Sequence, residues 1–140
     1  MPEMLVVLVI MAIATAMVVP RLQGVAKVSS VQGALNRYAG DVSLARIRAI
    51  RNGTRARVAI ATGGTRYYVI VDPTGASPDT IGDVNLAREY PATVLSPVGN
   101  VTFDSRGMLV TGSTTAVTAT RESRTARVTI SGVGVVYREF

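Results

Sequence analysis

The first fifty residues carry two successive hydrophobic patterns, and both are helical. Every side chain in residues 4–19 is apolar or small, apart from the hydroxyl of Thr15. Farther along, apolar residues recur at intervals of four and three positions, which mark one stripe of an α-helix. The stripe consists of Val31, Leu35, Tyr38, Val42, Ala45 and Ala49. We therefore predict one helix over residues 3–51, ended by the left-handed conformation that Asn52-Gly53 favours.

The two halves of this helix need different surroundings. Residues 4–19 have no polar face, so lipid or other helices must cover them on all sides, whereas one partner can cover the stripe of the second half. The apolar run is about 24 Å long, slightly short of the roughly 30 Å hydrocarbon core of a membrane. A signal peptide is the competing interpretation, but it would place a basic residue before the run, and the first one here is Arg21. An internal proline, Pro20, predicts a kink between the halves.

From residue 55 onward the pattern becomes that of β-strands. The runs RARVAIA and RYYVIV are rich in β-branched and aromatic residues, and TGGT between them suits a hairpin turn. DPTGASPDT has the composition of a turn or loop. We expect further short strands near residues 89–95, 101–103, 115–121, 125–130 and 134–137. The sequence therefore predicts an α+β fold, with an antiparallel sheet or sandwich packed on the helical stripe.

The composition excludes several kinds of catalytic and metal-binding site, but it does not identify a binding partner. The 140 residues carry a net charge of +6, which could attract nucleic acid, anionic lipid or acidic proteins, or could serve solubility alone. The absence of Cys excludes disulfides and thiolate metal sites, and the absence of His removes the commonest general base. We therefore expect no enzyme, no catalytic residue, no metal site and no cofactor.

Arginines are crowded where the helix gives way to the first strand. They are Arg46, Arg48, Arg51, Arg55 and Arg57. Such a density could form a phosphate-binding patch. On a helical wheel, however, Arg46 and Arg48 flank the apolar stripe and Arg51 lies roughly opposite it. This arrangement is typical of a solvated face, and bases at a helix C-terminus also complement the helix dipole.

The segment EMLVVLVIMAIATAMVVPRL resembles the N-terminal helix of type IV pilin-like proteins. In that family a Glu stands near the mature N-terminus and a Pro interrupts the apolar helix, and Glu3 and Pro20 occupy those positions here. Three later segments, YAGDVSLARIRAIRNGTRARVAI, VTFDSRGML and RVTISGVGVVYREF, resemble the GspH/FimT-type minor pseudopilins. The shared features are Ala-Arg on the helix, a Phe-x-x-x-Gly turn at Phe103–Gly107 and a Gly before the last strand.

The resemblance implies a long N-terminal helix whose first half is inserted in the membrane and whose second half packs on a small antiparallel β-sandwich head. On this basis residues 1–20 form the transmembrane or filament-core part, residues 21–53 the amphipathic part of the same helix, and residues 54–140 the head. The implied function is that of a minor pseudopilin or pilin subunit of a type II secretion system or type IV pilus. It would assemble through its helix and help to initiate or tip the filament.

The resemblance also implies partners, a location and roles for two residues. Glu3 would meet the free N-terminal amine of a neighbouring subunit, and Pro20 would let the helix bend or unwind locally. The partners would be other pilins or pseudopilins, the inner-membrane assembly platform, and lipid before assembly. The location would be the bacterial inner membrane, with a single pass and the head in the periplasm or outside, and later the filament. An alternative role for Glu3 is an interfacial anchor among the lipid headgroups.

The start of the chain departs from the family pattern. Family precursors have a basic leader ending in Gly, which a prepilin peptidase removes before the new N-terminus is methylated. Aligned on Glu3, Met1 lies two residues inside the mature start, and no leader motif is present. We expect a truncated start; the alternative is a copy that is not processed.

Two other functions stay open at this point. One is a DNA-binding minor pilin for competence, a branch of the family in which a basic C-terminal tail contacts DNA. Here the last strand offers Arg138, directly followed by Glu139, while Arg121, Arg124 and Arg127 are nearby in the sequence. The other is an unassembled, membrane-anchored β-domain.

Overall fold

A helix of 51 residues leads into a head built of two antiparallel sheets. The structure is a computed structural model that describes the backbone of residues 2–75 and 78–139, and the side chains of residues 3–17, 24–75 and 78–139. The long helix is α1 (Pro2–Asn52). The elements that follow it are β1 (Ala56–Ile60), β2 (Arg66–Val71), β3 (Asp79–Asn85), α2 (Leu86–Glu89), β4 (Val94–Ser96), β5 (Asn100–Phe103), β6 (Thr115–Arg121), β7 (Arg124–Ile130) and β8 (Val136–Glu139).

The single predicted helix and its stop signal are confirmed. Gly53 has a φ of 65°, its N–H donates to the Ile50 carbonyl, and the Thr54 N–H donates to the Ala49 carbonyl at 3.2 Å. These bonds satisfy carbonyls that the end of a helix leaves free. All six stripe residues predicted from the sequence are at most 2% exposed, so the stripe is the face that α1 turns to the core.

The two sheets enclose this stripe together with their own inward side chains. The first sheet has the order β3-β2-β1-β5 and the second the order β4-β6-β7-β8, and every described strand pair is antiparallel. Along β1, buried residues alternate with partly exposed ones, as they do in a strand with one covered face. Val58, Phe103 and Val128 are among the fully buried side chains. The predicted fold class, a helix packed on antiparallel sheets, is confirmed.

Residues 79–80, at the end of the predicted loop, already belong to a strand. Strand β3 pairs with β2 at the edge of the first sheet, and its register shifts between Val69 and Ile70. Its residues include Asp79, Gly82, Asp83 and Asn85, which are poor strand formers, and only Val84 is buried. The pairing with β2, rather than local propensity, makes this segment a strand.

Two other strand predictions are displaced. Instead of a strand over residues 89–95, the chain forms the short helix α2, a turn, and then β4. Leu86 is buried and its N–H donates to the Thr65 carbonyl at 2.9 Å, so a tertiary contact fixes α2. The last strand begins at Val136 rather than at residue 134, because Gly134 lies in a turn in which its N–H donates to the Ser131 carbonyl.

Two buried tyrosines lie between α1 and the first sheet. The rings of Tyr38 and Tyr67 meet edge to face at a centroid distance of 5.3 Å. Tyr67 donates to Asp41 Oδ2 at 2.6 Å, and the same oxygen lies 3.3 Å from Arg37 Nε. Burial, reinforced by the hydrogen bond to Asp41, raises the pKa of Tyr67, so its hydroxyl stays a donor. The Tyr38 hydroxyl is buried without a hydrogen-bond partner among the described residues.

Removing the two hydroxyls should therefore have unequal effects. Tyr67→Phe takes a donor from the largely buried Asp41 carboxylate and should cost about 1–3 kcal/mol of unfolding free energy. Tyr38→Phe removes a hydroxyl that has no partner and should be neutral or stabilising. Thermal unfolding of the detergent-solubilised chain, followed by circular dichroism, compares the two variants. Equal losses would contradict the assigned hydrogen bonding.

Candidate functional site

The N-terminal part of α1 presents apolar side chains on every side. Ten large ones between Met4 and Met17 are 53–71% exposed. The hydroxyl of Thr15 donates to the Met11 carbonyl at 2.7 Å, so it adds no unsatisfied donor to this surface. Glu3 is exposed at its start, and the described residues form no ion pair with it. We call residues 4–17 the apolar segment.

Within the described residues, none of the helices combines the length and the apolar character needed to cross a membrane. The other predicted assembly residue, Pro20, has a side chain outside the described ones, and its predicted kink stays a prediction. Helical backbone continues through its position.

The β6–β7 hairpin contacts α1 near the start of the head, through the pairs Lys27–Glu122 and Arg121–Ser30. We call these two contacts the clasp. The turn between β6 and β7 holds Glu122 at a φ of 53°, and its Oε2 lies 2.6 Å from Lys27 Nζ. This hydrogen bond lowers the pKa of Glu122 below the usual range of a glutamate. Beside it, Arg121 Nη1 donates to Ser30 Oγ at 2.7 Å. The clasp fixes residues 27–30 of the helix against the second sheet.

Three features that resemble the pseudopilin pattern meet at the other end of the head. Arg46 Nε of the Ala-Arg pair donates to the carbonyl of Gly107, the glycine of the Phe-x-x-x-Gly turn, at 2.9 Å. Gly107 and Gly134 have φ values of 78° and 81°, a region that disfavours side chains. A Cβ on Gly134 would overlap the Gly107 carbonyl oxygen and approach Arg46 Nε to 2.7 Å. We call this contact the glycine–arginine junction.

The turn that carries Gly107 is held by its own aspartate. Asp104 Oδ1 accepts hydrogen bonds from the N–H groups of Arg106 and Met108, at 2.9 and 2.8 Å. A Cβ on Gly107 would come within 2.6 Å of Ile50 Cδ1. The prediction of a solvated face for Arg46 is therefore wrong, because its guanidinium is a fixed contact between α1 and the head. Arg48 and Arg51 are exposed as expected.

Exposed apolar side chains gather around the glycine–arginine junction. They are Ile47, Ile50, Met108, Val110, Val133 and Val135, each 39–59% exposed. Ile47 and Val135 line one groove of about 530 Å³, and Met108, Val110 and Val133 line another of similar volume. We call this surface the distal patch, since it lies where α1 ends. Exposed apolar side chains gathered in one region are a common feature of interaction sites.

The four candidate DNA contacts do not share one surface. Arg121 belongs to the clasp, and Arg124, its register partner on β7, lines a groove along residues 24–32 of α1. Arg127 is paired in register with Glu139. Arg138 is in register with the buried Val128, and it lines the groove beside Ile47. Since side chains alternate between the faces of a strand, Arg127 and Arg138 lie on opposite faces of the second sheet.

The part of the chain that the structure describes brings together no group of three or more Asp and Glu side chains that could hold a metal ion. Of the two grooves of about 530 Å³, one contains a single acid, Asp104, which already accepts hydrogen bonds from its own turn, and the other contains none.

Comparison with known proteins gives a family match and two solved structures with a similar fold. Residues 34–134 match the model of a family described as type II transport protein GspH. No curated protein sequence matches significantly. Among solved structures, the type IV minor pilin FimU of Pseudomonas aeruginosa PAO1 superposes with a TM-score of 0.66 at 16% identity, over 79% of this chain and 88% of FimU. The minor pseudopilin EpsH of the Vibrio cholerae type 2 secretion system gives 0.61 at 13% identity, over 78% and 95%.

Proposed function

This chain belongs to the GspH family of pilin-like minor pseudopilins, and from that membership we propose that it assembles into a filament through α1 and helps to initiate or tip it. The filament is that of a type II secretion system or a type IV pilus. The proposed role is structural rather than catalytic, because it needs only shape and packing, and the neighbours FimU and EpsH are themselves a minor pilin and a minor pseudopilin.

The observation that carries this proposal is the apolar segment. Fully burying a large apolar side chain contributes about 1.5–3 kcal/mol, so covering ten that are more than half exposed is worth on the order of 10–20 kcal/mol. The head cannot provide this cover, because its core is built on residues 31–49 of the same helix. Apolar helices of neighbouring pilins or pseudopilins would cover the segment in the filament.

Before assembly, lipid covers the same side chains in our proposal. The apolar segment anchors the chain in the bacterial inner membrane by a single pass, with the head in the periplasm or outside, and the assembly platform extracts it from there. If the precursor has a leader, a prepilin peptidase removes it and the new N-terminus is methylated. In the filament Glu3 pairs with the N-terminal amine of a neighbour, and Pro20 provides the bend that this packing needs.

Deleting the gene in its native host tests the assembly role. We expect at least a tenfold loss of filaments in the sheared surface fraction, or of secreted substrate, because initiation is the slow step of a cooperative polymer. The intact chain should restore the lost activity, whereas a chain that lacks residues 4–17 should not. Unchanged filaments and secretion in the deletion strain would overturn the proposal, as would rescue by the shortened chain.

No observation favours the DNA-binding alternative through these four arginines, because Arg121 is bound within the clasp and Arg127 lies on the opposite face of the second sheet from Arg138.

A further inference from the structure

A small cleft on the outer face of the first sheet gathers cationic and hydrogen-bonding side chains. Its volume is about 260 Å³. The cleft is lined by Arg55, Arg57, Pro73, Thr74, Asn100, Thr102, Val110 and Thr111. None of these side chains is acidic, and six of the eight carry hydroxyl, amide or guanidinium groups. We call it the Arg55–Arg57 cleft.

The two guanidinium groups form no ion pair in the described structure. Neither arginine lies within 4 Å of a described carboxylate. The ion pairs among the described residues involve Lys27, Arg37 and Arg66 instead. Asp104, which lines a neighbouring groove together with Arg55, accepts backbone hydrogen bonds within its turn. Asp72 faces Gly75, whose absent Cβ leaves room for the carboxylate. Two neighbouring cations without an anion between them attract one from solution.

Arg57 also carries a polar atom that lacks a partner. Its Nε–H is buried and donates to no acceptor among the described residues. The residue is held in the middle of β1, in register with Ile70 on β2 and Thr102 on β5. A buried N–H without an acceptor costs about 1–3 kcal/mol, and a ligand oxygen would recover that energy only if the Arg57 side chain shifts so that Nε faces the cleft.

We propose that the Arg55–Arg57 cleft binds a phosphate or sulfate group. A planar guanidinium can donate two parallel hydrogen bonds to two oxygens of such a group, so the two arginines together can donate four. The neighbouring hydroxyls of Thr74, Thr102 and Thr111 can donate to remaining lone pairs, which a tetrahedral oxyanion offers in greater number than a carboxylate does. The volume is below the roughly 300–1,000 Å³ of sites for drug-sized ligands, so it suits one such group with a small substituent.

The position of the cleft argues against a lipid headgroup as the source. Arg55 follows the end of α1, which is about 50 Å of helix beyond the apolar segment. A membrane that holds residues 4–17 would therefore keep its headgroups far from the cleft. The group belongs to a soluble molecule, either as free phosphate or sulfate or as the phosphate of a polymer.

Titration of the full chain in non-ionic detergent tests the cleft, with inorganic phosphate as the probe at constant ionic strength. We expect saturable shifts of the backbone amide resonances of Asn100, Thr102 and Thr111, with a dissociation constant on the order of 1 mM. Arg57→Gln and Arg55→Gln should each weaken phosphate binding about tenfold or more, since each removes one fork. Arg48→Gln is the matched control, because it removes the same charge from an exposed site on α1 and should change affinity less than about twofold.

Several outcomes would overturn the proposal. They are the absence of saturable shifts up to about 50 mM phosphate, an equal loss in Arg48→Gln, and full affinity in Arg55→Gln. If Arg57→Gln fails to fold, the exposed Arg55 and the isosteric Thr102→Val provide the same test. Duplex DNA forms a second arm: displacement of phosphate by DNA, dependent on Arg55, indicates a polymer-borne group, whereas phosphate binding without displacement indicates a free one.

Discussion

Replacing Glu3 by Ala is expected to abolish incorporation of this chain into filaments while leaving its membrane insertion intact. In a filament core the carboxylate would be surrounded by apolar side chains, where an unpaired charge costs on the order of 2.5–3.5 kcal/mol or more. Pairing with a neighbour's N-terminal amine removes that cost. Loss of the carboxylate leaves the amine buried without a partner, which destabilises the assembly by about 3–5 kcal/mol. Recovery of tagged chain in sheared filaments should therefore fall on the order of 100-fold.

Two further variants separate pairing from membrane anchoring. Glu3→Gln keeps the size and polarity that an interfacial anchor needs but removes the charge, so it should fail like Glu3→Ala if pairing is the role. Thr15→Ala changes the same helix at a hydroxyl that bonds only within it, and it should incorporate normally. Normal incorporation of Glu3→Ala, with an equal amount in the membrane fraction, would show that the carboxylate is not an assembly contact.

Gly134→Ala is expected to destabilise the head by about 2–4 kcal/mol. A φ of 81° costs an alanine about 1–2 kcal/mol, and the new methyl group would also overlap the Gly107 carbonyl oxygen and crowd Arg46. Since a backbone carbonyl cannot rotate away as a side chain can, the turn or the start of β8 must shift. Thermal or urea unfolding of the detergent-solubilised chain measures the loss.

Gly112→Ala provides the matched control. Gly112 has a φ of 64°, but no atom lies within 4 Å of the position that its Cβ would take. It should therefore cost only the backbone term of about 1–2 kcal/mol. The difference between the two variants measures the crowding at the glycine–arginine junction. Equal losses would mean that the junction adds no steric constraint.

The helix and its buried face could be predicted from the sequence because both depend on local periodicity. Stripe residues such as Leu35 and Val42 repeat at the period of the helix, and Gly53 supplies the φ that ends it. Strand β3 could not be found in this way. Its residues favour a loop, and they form a strand only because β2 offers an unpaired edge.

The candidate sites also could be predicted only where their signal is local in the sequence. Glu3 is conspicuous in the sequence because an acid beside an apolar run is rare. The role of Arg46 is invisible there, since it depends on a carbonyl 61 positions away that the sheets bring to the helix. Arg127 and Arg138 are near each other in the sequence, yet the alternation of side chains along paired strands places them on opposite faces of the second sheet.

The clasp between Lys27 and Glu122 sets an order of events during synthesis. It joins residues 95 positions apart, so it closes only after nearly the whole chain has left the ribosome. At about 5–20 residues per second, the helix waits roughly 5–20 s for β6 and β7. The apolar segment emerges first, whereas the stripe that starts at Val31 is covered only in part, by strands of the first sheet, until β6 and β7 arrive. If the apolar segment anchors the chain as proposed, it can therefore enter lipid before the head is complete, and the partly covered stripe is the part of the nascent chain that most needs a chaperone.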